Sequence, residues 1–139
     1  DRLRLEKAQE ELERLPITLE YCGSDTVEDI RAKAQTLHKQ GKLEVLFIDY
    51  LNLINIVLSK SQLLETTDLA LGNIVRKIKL MAEEMDIPVV LLAQMNRETE
   101  RRPAPNFPVL SDLRNSGAIE QVADVVIFVY RTTRRRRKT

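Results

Sequence analysis

Three short, largely apolar runs, each followed by a polar residue, constrain the fold of this chain more than any other feature. They occupy residues 45–48, 87–93 and 123–130. Continuous apolar runs of this length are typical of strands in parallel sheets, which are buried on both faces. Apolar residues also recur at helical spacing over 71–85, between the first two runs. Strands that alternate with helices predict an α/β fold with a mainly parallel sheet.

The first forty residues continue this alternation. Apolar positions at helical spacing predict a helix over 1–15, and alternating side chains predict a strand over 17–22. Asp25 and Glu28 have the spacing of a capping box and predict the start of a second helix. Gly41 stands where the C-terminal cap of that helix is expected.

The composition excludes several other classes of protein. The chain has 139 residues, of which 43% are apolar and 31% charged, as expected for one globular domain. No apolar run approaches the roughly 20 residues that a membrane-spanning helix needs, and the first residues do not resemble a secretory signal. The single cysteine, Cys22, leaves no partner for an internal disulfide. We therefore expect a cytoplasmic protein without a membrane anchor.

The charge is distributed unevenly along the chain. The 22 basic and 21 acidic residues give a formal net charge of +1. All of the acidic residues lie within 1–130, together with 16 basic ones, so this part carries a formal charge of −5. The remaining six basic residues lie within 131–139. Most of the chain is therefore not a basic nucleic-acid surface.

The polar residues that follow the strands are the candidates for chemistry, because ligands of open α/β sheets bind beyond the carboxyl ends of the strands. Asp49 follows four apolar residues, which is the pattern of a Walker B strand whose carboxylate helps to hold Mg²⁺ at a nucleotide. A solvated turn or a helix cap explains the same pattern. Gln94 either anchors a loop or, as an uncharged donor, senses the γ-phosphate of a nucleotide.

A receiver-type domain also places an aspartate at a strand end, where it accepts a phosphoryl group. Such a domain requires Ser or Thr after the next strand and Lys after the last one. Gln94 and Arg131 stand at these positions, which argues against this alternative.

Three longer segments resemble motifs of the DnaB-type replicative helicases. Residues 46–54 are similar to the Walker B motif of that family, 87–97 to its third motif and 111–124 to its fourth. The segments follow in the order and spacing of the family, with a proline-rich loop between the last two. The resemblance extends from about residue 15 to residue 131.

This resemblance implies a RecA-like motor fold, a mainly parallel sheet flanked by helices, that is incomplete in this chain. Residues 1–131 are then a partial motor domain, and 132–139 a disordered basic tail. The family hydrolyses ATP with Mg²⁺ at the subunit interfaces of a homo-hexameric ring and moves 5′ to 3′ along single-stranded DNA. The implied partners are single-stranded DNA, further copies of the chain, a primase and a helicase loader, with no membrane.

The resemblance also implies roles at the nucleotide. Asp49 is the Walker B carboxylate and acts on Mg²⁺ through water. Tyr50 lies beside it in the nucleotide site. Gln94 couples the γ-phosphate to the loops that bind DNA, so Asp49 and Gln94 are the implied catalytic residues.

Two segments are implied to contact DNA. Arg97 begins one loop of the central channel, residues 97–108, and Arg114, Asn115 and Gly117 lie on another loop. Arginine is suited to phosphate oxygens, and a glycine lets backbone N–H groups approach them closely. Such contacts follow the DNA backbone and not its base sequence, as a translocating motor requires.

The chain departs from the family pattern at Asn52, Asn115 and Val122, where the family usually has Gln, Glu and Asp. The second change removes a negative charge near phosphate. No GxxxxGK[ST] phosphate loop occurs among the 139 residues, and the catalytic glutamate and arginine finger of the family have no match either. Without the amides and lysine of that loop, we expect the isolated chain neither to bind ATP tightly nor to unwind DNA.

These missing motifs leave an alternative from another functional class open. The chain is then a non-catalytic fragment or accessory protein that binds helicase subunits or single-stranded DNA. A RecA-type recombinase or a clock ATPase fits less well, because residues 111–124 match helicases better.

Overall fold

The computed structural model of the chain describes residues 2–56, 67–95 and 107–130. Within them, two strands form a parallel sheet, β1 (Leu46–Ile48) and β2 (Val89–Leu91). Each strand lies within a predicted apolar run, so both predictions are confirmed. The parallel pairing brings the carboxyl ends of the two strands to one edge of the sheet, where Asp49 and Gln94 follow them.

Helices account for most of the regular structure. Among the described residues, the α-helices are α1 (Arg2–Glu13), α2 (Val27–Lys39), α3 (Thr67–Met85) and α4 (Gly117–Val122), and the 3₁₀ segments are Leu51–Leu53 and Leu110–Ser116. The three longer helices confirm the predictions from periodicity. In each of them the apolar residues recur at spacings of three and four positions, which is the pattern of a helix.

The N-terminal cap of α2 is Thr26, one residue later than the predicted cap. The Thr26 hydroxyl accepts a hydrogen bond from the Asp29 N–H (3.2 Å), and the Asp29 carboxylate accepts one from the Thr26 N–H (2.9 Å). The prediction that Asp25 and Glu28 form the capping pair is therefore wrong, because Thr26 and Asp29 have the same spacing one position further along the chain. Hydrogen bonds from Thr26 hold the pKa of Asp29 below its ordinary value. Gly41 has φ +66°, which confirms a left-handed glycine just after the helix.

The core lies between α2, α3 and one face of the sheet. Along α3 the inward apolar side chains are at most 6% exposed, and Met81 is fully buried. The same cluster contains Val27, Ile30 and Ala34 of α2 and Ile48 of β1. The apolar stripe over 71–85, which predicted the helix, is therefore the face of α3 that packs in the core.

The two faces of the sheet differ in burial. Ile48 and its neighbours on the inner face pack against the helices. Phe47 and Val90, which lie opposite each other on adjacent strands, are 65% and 42% exposed. Parallel sheets are normally covered on both faces. The described residues therefore supply helices for one face only.

Ion pairs connect elements across the surface. Arg31 of α2 lies 2.5 Å from the Glu84 carboxylate of α3. Lys79 of α3 lies 2.7 Å from the Asp124 carboxylate, and its ammonium holds the pKa of Asp124 below its ordinary value. Exposed pairs of this kind contribute little stability. The second pair connects α3 with the residues that follow α4.

Two predicted strands do not form in the described part of the chain. Residues 17–22 have no strand pairing, and Leu19 and Tyr21 are more than 90% exposed. Residues 123–130 also lack strand pairing, and alternate side chains there are 76 to 87% exposed (Val125, Ile127 and Val129). The predictions of a strand at 17–22 and of a buried strand at 123–130 are therefore wrong. A strand requires a partner backbone, and no described segment pairs with either one.

Some predictions concern residues outside the described ranges. These are Arg97, most of the loop 97–108, and the basic tail 132–139. The division into a partial domain over 1–131 and this tail stays a prediction. The helices of the described residues include no candidate for a membrane span.

Candidate functional site

The carboxyl edge of the sheet is organised by two backbone hydrogen bonds. The Leu92 N–H donates to the Ile48 carbonyl (2.9 Å), and the Leu51 N–H donates to the Leu92 carbonyl (2.9 Å). The two bonds bracket Asp49 and continue the pairing beyond the end of β1. Asp49 is thereby held beside the segment that leads from β2 to Gln94.

Asp49, Tyr50 and Gln94 line one open cavity of about 370 Å³, together with Leu92 and Ala93. Asp49 and Gln94 are exposed, and Tyr50 is partly buried. The structure thus brings together the three residues predicted at the nucleotide. The lining therefore combines an acidic, a phenolic and an amide residue with two apolar ones.

The turn that carries Asp49 is anchored below the cavity. Leu51 begins the 3₁₀ segment after Tyr50 and is fully buried in the core. Four residues further on, the Asn55 N–H donates to the Asp25 carbonyl (2.9 Å). The peptide bond between Asp49 and Tyr50 is cis. Because Leu51 is packed and hydrogen-bonded, the Asp49 backbone is fixed before any ligand binds.

The residues that line the cavity fit a metal site in which the protein supplies only one carboxylate. Among the described residues, no group of three or more His, Cys, Asp and Glu side chains could hold an ion. Asp49 is the carboxylate that lines the cavity. Mg²⁺ is usually bound by one or two carboxylates together with waters and substrate phosphates, and not by a cage of protein ligands. Asp49 therefore fits a Mg²⁺ ion that arrives with a nucleotide.

The second candidate region lies between residues 107 and 123. The structure places the backbone of Arg114 and Asn115 in the 3₁₀ segment Leu110–Ser116, and Gly117 at the first position of α4. These three predicted DNA-binding residues therefore lie in helical turns and not in an open loop. Arg97, the fourth, lies outside the described residues.

Asp112 fixes the start of this 3₁₀ segment, a role that the sequence analysis missed. It is 3% exposed, and its carboxylate accepts a hydrogen bond from the Val109 N–H (2.9 Å). In return, the Asp112 N–H donates to the Val109 carbonyl (2.9 Å). The signal in the sequence is an acid three residues after the start of a helical turn, as in a capping box. Leu113, the next residue, is 8% exposed and belongs to the core.

α4 is positioned by a close approach to α3 at Gly72. A Cβ atom at residue 72 would lie only 3.2 Å from the Ala118 Cβ. Glycine at this position lets the two helices pack without displacing Ala118. The backbone at Gly117 and Ala118 is thereby held near α3.

Comparison with known families and proteins identifies the chain's relatives. The family model of the DnaB-like helicase C terminal domain matches residues 1–139. The replicative DNA helicase DnaB of Mycobacterium intracellulare is 37% identical over 131 residues, which are 94% of this chain and 22% of that protein. The replicative DNA helicase DnaB of Rickettsia felis is 40% identical over 128 residues, which are 92% of this chain and 25% of that protein. The chain therefore spans about a quarter or less of the length of these curated relatives.

Solved structures that resemble the chain belong to the same kind of protein. One solved ATPase domain superimposes with a TM-score of 0.69 at 34% identity, over 78% of this chain and 37% of that one. A DnaB-like replicative helicase, studied for its interactions with primase, superimposes with a TM-score of 0.77 at 32% identity, over 86% of this chain and 28% of that one. The predicted α/β, RecA-like fold class is confirmed by these neighbours. The chain belongs to the family of DnaB-like helicase C-terminal domains.

Proposed function

We propose that the chain supplies the Walker B, glutamine-sensor and DNA-binding segments of an ATP-dependent, hexameric replicative DNA helicase that moves 5′ to 3′ along single-stranded DNA. The observation that carries this proposal is the meeting of Asp49, Tyr50 and Gln94 in one open cavity at the carboxyl edge of the parallel sheet. Membership of the family supports it, because the related proteins are replicative DNA helicases.

In this proposal Asp49 holds the metal that accompanies ATP. Its carboxylate accepts hydrogen bonds from water bound to Mg²⁺ and keeps the ion at the edge of the sheet. When bound, Mg²⁺ neutralises charge on the phosphate oxygens. Tyr50 lines the same cavity and provides a hydroxyl beside the phosphates.

Gln94 links the nucleotide to DNA. Its side-chain amide is neutral and donates a hydrogen bond to a γ-phosphate oxygen, a bond that is lost when the phosphate leaves. Gln94 lies three positions before residues 97–108, the first proposed channel loop. The presence or absence of the γ-phosphate is thereby communicated to a segment that contacts DNA.

Arg114, Asn115 and Gly117 bind the DNA backbone. An arginine and consecutive backbone N–H groups recognise phosphate oxygens, which are the same at every nucleotide. Asn115 adds an amide donor where the family usually has an acid. Binding of this kind depends on salt and not on base sequence, as a motor that moves along DNA requires.

The proposal assigns the remaining functions to other polypeptide segments. The 139 residues contain no phosphate loop, so the groups that grip the α- and β-phosphates come from outside them. Further copies of the chain complete the ring, and a primase and a helicase loader are the proposed protein partners. An interaction with primase is the subject of one of the related solved structures.

A chimera tests the proposal. This chain replaces the matching segment of the Mycobacterium intracellulare replicative DNA helicase, whose remaining segments are expected to supply the phosphate loop. We expect the purified chimera to hydrolyse ATP in the presence of Mg²⁺ and to do so faster when single-stranded DNA is added. The 139-residue chain on its own is the matched control and is expected to show no turnover.

The same experiment separates the proposal from its alternative. A chimera that assembles into a ring and binds single-stranded DNA, yet hydrolyses no ATP, would support a non-catalytic binding role for this chain. Assembly is measured by size-exclusion chromatography with light scattering, so that loss of the ring is not mistaken for loss of chemistry.

A further inference from the structure

Two aromatic rings meet at the entrance to the proposed DNA-binding segment. Phe107 and Tyr130 are in an edge-to-face contact, with ring centroids 5.7 Å apart and planes at 87°. Phe107 lies just before the 3₁₀ segment that contains Arg114. Tyr130 lies 23 positions further along the chain, near the end of the described residues. The contact therefore joins two segments that are distant in sequence.

Burial alone does not explain this contact. Phe107 is 55% exposed and Tyr130 is 47% exposed, whereas core side chains of the chain are at most 9% exposed. Val109 and Leu110, which follow Phe107, are also more than 40% exposed. The position of Phe107 is therefore set mainly by the ring contact, whose preferred geometry is directional.

The other end of the same segment is fixed in a different way. The Asp112 carboxylate accepts the hydrogen bond from the Val109 N–H, and Leu113 is buried in the core. The backbone from Phe107 to Leu113 is thus held at its start by Tyr130 and at its end by the core. Arg114 is the residue that directly follows this doubly anchored stretch.

We infer that the Phe107–Tyr130 contact is a positioning pair that orients the backbone carrying Arg114 and Asn115 towards the phosphates of single-stranded DNA. The inference rests on the proposed function, since it presupposes that Arg114 binds DNA. Phe107 belongs to the loop 97–108 and contacts Tyr130, and in this inference the two rings act on DNA binding through Arg114. Loss of either ring removes one of the two anchors of the backbone that leads into Arg114, so this backbone loses its single orientation.

A double-mutant cycle in the chimera tests this inference. The variants are Phe107→Leu, Tyr130→Leu and the combination of both, and their affinity for single-stranded DNA is measured by fluorescence anisotropy. We expect each single variant to weaken binding about threefold to tenfold, the range expected for one aromatic contact. The combined variant is expected to be no weaker than either single one, because the same contact is lost in each case.

Two controls separate positioning from a general loss of structure. Tyr130→Phe keeps the ring and should bind DNA within about twofold of the unsubstituted chimera. ATP hydrolysis without DNA should be unchanged in Tyr130→Leu, and its thermal midpoint should fall by no more than a few degrees, as expected for the loss of one exposed ring contact. A parallel fall of DNA affinity, hydrolysis and thermal midpoint would contradict the inference, because it indicates a purely structural contact.

The Arg114→Ala background decides how the rings act. If they act through Arg114, Tyr130→Leu should cause no further loss of affinity in that background. A further loss would contradict the inference and indicate that the rings stack directly on bases. If Arg114→Ala by itself leaves affinity unchanged in a chimera that binds DNA, the proposed DNA segment is wrong, and the inference falls with it.

Discussion

Replacing Asp49 with asparagine is expected to reduce ATP hydrolysis by the chimera at least about 100-fold. The substitution preserves the size of the side chain, removes its negative charge and replaces one accepting carboxylate oxygen with a donating amide nitrogen. A neutral amide holds a hydrated Mg²⁺ ion much more weakly than a carboxylate does. Among the described residues that line the cavity, Asp49 is the only carboxylate, so no other acidic side chain of this lining takes its place.

Glu44→Gln is the matched control for this substitution. Glu44 is exposed and lies at the amino end of β1, whereas Asp49 lies beyond its carboxyl end. The charge change is the same, but it occurs away from the cavity. Initial rates of phosphate release at saturating ATP provide the measurement. Equal rates for Asp49→Asn and Glu44→Gln would contradict the assignment of Asp49.

Replacing Met81 with alanine is expected to lower the free energy of unfolding of the 139-residue chain by about 2–5 kcal/mol. Met81 is fully buried in the middle of the α3 face that packs against α2 and the sheet. Alanine removes most of the side-chain volume and leaves a cavity that the surrounding helices fill only in part. Since domains of this size are stable by about 5–15 kcal/mol in total, this is a large fraction.

Leu80→Ala separates the effect of burial from that of helix propensity. Leu80 is the neighbouring residue on α3 and is 54% exposed. Its replacement is expected to change the free energy of unfolding by no more than about 0.5 kcal/mol. Urea denaturation followed by far-ultraviolet circular dichroism measures both variants. Similar losses for Met81→Ala and Leu80→Ala would show that the core is not where the structure places it.

The helices and the two paired strands could be predicted because their signals are local. The stripe of α3 repeats at helical spacing over 71–85, and the runs at 45–48 and 87–93 are continuous and apolar. The meeting of Asp49 and Gln94 follows from parallel pairing, since each residue comes directly after its run. The positions of these two residues could therefore be predicted without knowing any other contact between distant segments.

The remaining features depend on contacts between distant segments. Residues 17–22 and 123–130 have strand-like patterns, but pairing depends on a partner backbone that the pattern does not identify. Asp112 is a common acid in the sequence and becomes a buried capping residue only because Leu113 enters the core. The contact between Phe107 and Tyr130 likewise has no periodic signal, since it joins residues on two irregular segments.

Substitution of Gln94 tests most directly whether this edge of the sheet couples a nucleotide to DNA. The quantity is the ratio of ATP hydrolysis rates of the chimera with and without single-stranded DNA. Gln94→Ala should bring this ratio close to one, while Gln40→Ala, an exposed glutamine at the end of α2, should leave it at the value of the unsubstituted chimera. A ratio in Gln94→Ala equal to that of the unsubstituted chimera would contradict the proposed coupling.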